Sequence, residues 1–192
     1  MKYLASTAGV VLAFLAGCAT KEQASPPGST QPPPTSAAAA TTTTTTVPAP
    51  PPVWRTARWG MTKDEALAAF PGEAQRLGKP ADFGPPTPGS SDVAIPDYEV
   101  DGVKFRVLFG FDSNALNRIH LSAMKPVDST CGDAEKSVTG KHSEPAARNN
   151  TGTSLRGEEI VWKRPDQTIT LLCAGVPSLG FRSVTLIYTP PS

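Results

Sequence analysis

The chain has 192 residues, of which 21 are proline and 16 glycine, and it sets 18 lysine and arginine side chains against 17 aspartates and glutamates. So even a balance gives no electrostatic footprint for nucleic acid, and no nucleic-acid partner is expected. The segment from residue 53 to 192 is of ordinary single-domain length, able to bury roughly two-thirds of its unfolded surface.

The chain opens with Lys2 and a short apolar run from Ala8 to Ala16 that includes Val10, Val11, Leu12, Phe14 and Leu15. A helix needs ~20 apolar residues to cross a bilayer, so residues 1–17 read as an export signal that is removed. Leu15-Ala16-Gly17-Cys18 resembles the lipobox of bacterial lipoproteins. That resemblance implies cleavage before Cys18 and a thioether-linked diacylglycerol on its thiol, with palmitate among the acyl chains. A thiolate is the natural nucleophile for such a bond, and small residues at 16 and 17 suit a peptidase cleft. Each buried methylene contributes ~0.8 kcal/mol, so two or three acyl chains give a lasting hold on a membrane. Ala19 is not the aspartate of inner-membrane retention, so in an organism with two membranes the resemblance implies the outer one. The expected location is the cell envelope.

Residues 18–52 carry almost nothing to bury. Pro32-Pro33-Pro34, an alanine run from Ala37 to Ala40, a threonine run from Thr41 to Thr46 and Pro50-Pro51-Pro52 follow one another. Such a composition cannot offset its ordering entropy. The segment reads as a disordered stalk, reaching on the order of 100 Å if fully extended at ~3.1 Å per residue.

The folded part is expected over residues 53–192. Thr62-Lys63-Asp64-Glu65 has the form of a capping box, and a short helix through Ala66, Leu67 and Phe70 should stop at Pro71-Gly72. The prolines between Pro80 and Pro96 mark a long loop. Tyr98 to Val100 reads as a strand, and Asp101-Gly102 as a two-residue hairpin turn. On the return strand Val103, Phe105, Val107, Phe109 and Phe111 face one way, with Lys104 and Arg106 the other. A third strand, Leu116 to Met124, sends Ile119, Leu121 and Ala123 inward and Arg118 and His120 outward. A second helix is expected from Thr130 to Thr139, ended by Gly140. Strands over Glu158–Lys163, Gln167–Ala174 and Phe181–Thr189 complete the chain.

The element order repeats, giving units at about 54–125 and 126–192. The expected fold class is therefore α+β: two tandem units, each a short helix packed on an antiparallel sheet of about three strands. With Cys18 assigned to lipid, Cys131 and Cys173 have one possible pairing, and an oxidising compartment would preserve it. That disulfide would fasten the second helix to the strand beneath it.

Trp59-Gly60-Met61-Thr62-Lys63-Asp64-Glu65 resembles the opening of small exported proteins built from tandem helix-then-sheet units. Val161-Trp162-Lys163, Gln167-Thr168-Ile169 and Leu186-Ile187-Tyr188 resemble the strands of their second unit. The pattern is similar to the β-lactamase inhibitor protein and to the SmpA/OmlA lipoproteins of outer-membrane assembly. The resemblance implies a protein that acts by binding other proteins, and it carries over no contact residue.

Catalytic and metal-binding patterns are lacking in the sequence. The two histidines, His120 and His142, read as a solvated strand residue and a loop residue, not as members of a nucleophilic triad. There is no CxxC, HExxH or calcium-loop motif, so no metal and no cofactor is expected, and the chain does not read as an enzyme. Lys104, Arg106, Arg118 and His120 should form a basic patch on the outward face of adjacent strands, with Lys163 and Arg182 extending it. That patch is the candidate binding face for an acidic envelope protein or an anionic envelope polymer. Trp54 and Trp59, where the stalk meets the domain, read as caps on the core; as exposed anchors they would instead serve an assembly lipoprotein that stabilises an outer-membrane complex.

Overall fold

The computed structural model describes residues 49–84, 87–151 and 156–191. The expected signal segment, the expected lipid attachment at Cys18 and the expected stalk as far as residue 48 lie outside the described residues. The chain divides after Thr45, and the unit from Thr46 to Ser192 contains every described element. That unit has its own hydrophobic core, running from Val53 to Tyr188.

Ten main elements follow in order: α1 (Lys63–Ala69), β1 (Gln75–Asp82), β2 (Ser90–Val100), β3 (Val103–Asp112), β4 (Ala115–Ala123), α2 (Thr130–His142), β5 (Ala147–Thr151), β6 (Arg156–Lys163), β7 (Thr168–Val176) and β8 (Phe181–Thr189). All eight strands join one antiparallel sheet in the order β1-β2-β3-β4-β8-β7-β6-β5. This overturns the expectation of two tandem units, each a helix on a three-stranded sheet. β4 pairs with β8, so the strands that would have bounded separate sheets become neighbours in one. The structure is mostly sheet, with two α-helices among the described residues.

The outermost strands, β1 and β5, are the ones the sequence pattern hides. β1 contains Pro80 and has no inward alternation, because an edge strand needs hydrogen bonds on one side only. Pro96 sits in β2 where the register with β3 slips, between Ile95 and Tyr98, and such a bulge tolerates the missing donor. The expected Pro80–Pro96 loop is thus confined to the residues between Asp82 and Ser90. β5, of sequence Ala-Arg-Asn-Asn-Thr, lacks β-branched residues except at its end and pairs only with β6.

Elsewhere local chemistry sets the elements directly. Thr62 accepts from the Glu65 backbone NH while the Glu65 carboxylate accepts from that of Thr62, closing the capping box. The Thr62 backbone NH and then its hydroxyl, both donating to the Glu65 carboxylate, hold that carboxyl below its ordinary range. Asp101 and Gly102 both take positive φ, as a tight hairpin turn matched to strand twist requires. Helix α2 does not stop at Gly140 but continues to His142, ending at Ser143 with φ of 67°.

Both helices and the segment around Trp54 cover one face of the sheet. Phe70, Phe105, Phe109, Leu121, Trp162, Ile169 and Leu186 are buried there with Ala134 and Val138 of α2. Trp54 packs on Phe70 and Tyr98 at centroid distances of 5.6 and 5.2 Å. The indole of Trp59 donates to the Asp166 carbonyl at 2.9 Å. Both tryptophans are therefore spent on internal contacts. Among the described residues no helix is long and apolar enough to cross a membrane.

Cys131 of α2 and Cys173 of β7 form a disulfide with Cα atoms 6.0 Å apart. Helix α2 needs this fastening, because it contains Gly132, Gly140, two threonines and a valine, and buries only Thr130, Ala134 and Val138. Replacing both cysteines by alanine should lower unfolding stability by about 2–4 kcal/mol, given the 42-residue separation. Urea denaturation of the two proteins, with circular dichroism as readout, measures the difference.

Candidate functional site

Strand register assigns every candidate residue to a face. Leu108 pairs with His120, Arg106 with Ser122 and Gly110 with Arg118, while Val107 and Phe109 point to the helix-covered core. Lys104, Arg106, Arg118 and His120 therefore share the face opposite the helices. Across β4, β8, β7 and β6 the same face continues through Ser122, Thr185, Leu172 and Glu159 in one row, and His120, Ile187, Thr170 and Val161 in the next. Lys163 lies on this face opposite Thr168. Among the described residues no helix packs on it.

Part of that face is plugged. Phe83, just beyond β1, turns back over the sheet and packs with Ala94, Leu108 and His120 as a second, smaller cluster. Gly110 makes room for it: a Cβ there would come within 3.0 Å of the Phe83 ring and of the Arg118 side chain. The Arg118 guanidinium sits 5.3 Å above the Phe83 ring centroid and donates to the Pro88 carbonyl at 3.1 Å. Arg118 thus clamps the plug rather than standing free on the surface. Its stacking on the ring adds about 0.5–1 kcal/mol at such an exposed site.

The plug changes the role of His120. Although its strand position faces outward as the alternation predicts, the residue is only 2 % exposed, so the expected solvated histidine is a buried one. Burial, together with the nearby Arg118 and Arg106 charges, lowers its pKa to about 4. Its ring Nδ1 lies 3.3 Å from the Ser122 hydroxyl. Among the described residues no carboxylate joins this pair, so it lacks the acid that orients the base in a nucleophilic triad.

The remaining cations sort differently. Lys104 meets Glu99 at 3.9 Å, with both side chains exposed, and such a pair contributes ~0–1 kcal/mol. Arg106 and Lys163 are exposed and have no ion pair among the described residues. Arg182 does not extend the patch. It shares the phase of Val184, points to the helix side and pairs with Asp128. Among the described residues no group of histidine, cysteine and carboxylate side chains could hold a metal ion.

Compared with models of protein families, with curated proteins and with solved structures, the chain matches none. The likeness to the tandem helix-and-sheet group rests on the Trp59–Glu65, Val161–Lys163, Gln167–Ile169 and Leu186–Tyr188 segments alone.

Phe83, Gly110 and Ala94 are site residues that alternation alone does not reveal. A signal for them exists in Gly110, which interrupts an otherwise regular strand and so marks a close approach from outside. The buried histidine has a measurable consequence. The unfolded chain takes up a proton near the ordinary value of 6.5, the folded one only near about 4. Between those values the unfolded state binds more protons, so stability falls as pH drops from 6.5 toward 4. The full loss is about 3 kcal/mol. Comparing urea midpoints of the wild type and His120→Leu across this window should show the histidine's share of the slope vanish in the variant.

Proposed function

We propose that the chain is a bacterial envelope lipoprotein, held to a membrane by lipid on Cys18, whose domain is a non-catalytic module binding an acidic partner through the uncovered sheet face. The partner is an envelope protein or an anionic envelope polymer. The observation that carries this reading is the one-sided construction of the sheet. Both helices pack on one face, while beyond the Phe83 plug on β4 no described helix covers the other face along β8, β7 and β6. Sheets built this way supply broad, rigid recognition surfaces.

Charge on that face supports an acidic partner. Arg106 and Lys104 are exposed on β3 at its margin, and Lys163 stands on β6. Between them Leu172, Ile187, Thr170 and Thr185 are neutral and half-buried or buried, with Glu159 at the β6 end of the row. A neutral centre with a charged rim, cationic apart from Glu99 and Glu159, resembles the usual anatomy of an interface, with an apolar core and a polar rim. His120 is covered and its pKa lowered to about 4, which makes it a buried structural residue of this face.

The test uses residues 46–192 as cross-linking bait in envelope extracts, beside a Lys104→Glu/Arg106→Glu variant. Both side chains are exposed, so the variant should keep the wild-type melting curve. A partner held by the wild type and lost by the variant is the expected result. Equal capture by both proteins would remove this face from consideration. In the full chain, Cys18→Ser should move the protein from the membrane pellet to the soluble fraction and abolish incorporation of labelled palmitate.

A further inference from the structure

A second concave site lies on the opposite, helix-covered face, above the line where β4 meets β8. Neither helix closes over this line: α1 sits against β4 and α2 against β7. The gap between Trp54 and α2 is a cavity of ≈ 250 Å³. Its walls are Trp54, Tyr98, Leu121, Val138, Leu186 and Tyr188. A cavity of about 150 Å³ takes one benzene ring, so this one has room for a two-ring or branched aliphatic body.

The polar groups lining the cavity are the hydroxyls of Tyr98, Tyr188 and Ser137, with Arg55, Lys141 and His142 beside them. No hydrogen bond among the described residues engages the hydroxyl of Tyr98 or of Tyr188; the Tyr188 ring is buried, but neither hydroxyl is a buried unpaired atom, so both are open to solvent. Burial holds both phenols above their ordinary range, so they remain protonated donors. The mouth is bordered by Arg55, Lys141 and His142. Arg55 is already spent on a two-pronged ion pair with Glu73 at 2.7 and 2.8 Å. Burial and the Arg164 charge lower the His142 pKa. Lys141 is the exposed cation that remains, and the cleft contains no carboxylate.

We infer that this cleft is a binding site for a small monoanion with an apolar body, such as an aromatic or branched aliphatic carboxylate. The body lies between Trp54 and the Leu121–Leu186 floor. The carboxylate accepts from the tyrosine hydroxyls and meets the Lys141 ammonium at the mouth. A few convergent donors in an otherwise apolar concavity are what a small-molecule site requires. This site is separate from the open sheet face, and neither depends on the other.

The domain of residues 46–192 should be titrated with 2-naphthoate and, in parallel, with the neutral 2-naphthamide, following amide and indole resonances by NMR. The expected result is saturable shifts at Trp54, Tyr98, Leu121, Val138 and Leu186, with the amide binding at least about fivefold more weakly. Tyr188→Phe keeps the ring and removes the donor, and Lys141→Glu reverses an exposed charge without touching the core. Each should weaken naphthoate binding at least about fivefold. Shifts that fail to saturate at millimolar naphthoate, or that fall outside the cleft, overturn the site. Equal affinity of wild type and Lys141→Glu, or of acid and amide, overturns the anionic class of ligand.

Discussion

Four residue pairs join the halves of the sheet: Ile119 with Tyr188, His120 with Ile187, Leu121 with Leu186 and Ser122 with Thr185. The flanking hairpins pair more extensively, from Phe105 to Asp112 on one side and from Thr168 to Val176 on the other. So short a seam draws much of its strength from side chains. Ile119, Leu121, Leu186 and Tyr188 are buried on the covered face, and they make a single core out of what would otherwise be two. Because its partners are distant in sequence, the seam also pays the largest loop-closure entropy in the domain. The broad open face and the cleft above the seam both exist because these strands meet.

Alternation made the central strands readable. On the return strand Phe105, Val107 and Phe109 are buried as their phase predicts, with Val103 and Phe111 half-buried at its ends. Capping chemistry at Thr62 and turn chemistry at Asp101-Gly102 were equally direct, because each works through neighbours in sequence. The outer strands were not legible, since an edge strand is half free of the packing that imposes a pattern. Proline in β1 and asparagine in β5 imitate loops for that reason, and the same residues discourage pairing with other chains. The merger of two sheets into one was hidden more deeply. Either strand period is compatible with an exposed edge or an internal neighbour, and only the β4–β8 contact decides between them.

The candidate face shows the same division. Strand phase correctly put Lys104, Arg106, Arg118 and His120 on one side, because phase is a local property. What covers a residue is not. Phe83 reaches His120 from the far end of a loop, and one ring turns an outward histidine into a buried neutral one and an outward arginine into a clamp. Arg182 failed as a surface cation because its place in β8 has the phase of Val184, which faces the core. Counting cations in sequence thus overstates the charge a sheet presents, and the exposed residues Arg106, Lys104 and Lys163 are what survive.

The link between Cys131 and Cys173 ties the completion of the fold to a place and a time. Helix α2 has weak intrinsic propensity and few buried residues, so its docking depends on a covalent bond that forms where thiols oxidise. A newly made chain in a reducing environment carries that helix loosely, with the β7 side of the core less firmly closed. Passage through a translocation channel requires an extended polypeptide, so under the proposed export the domain would resist unfolding least while its thiols are still reduced. Oxidation locks the helix down, and the same pair of cysteines thus separates a loosely closed state from a firmly closed one.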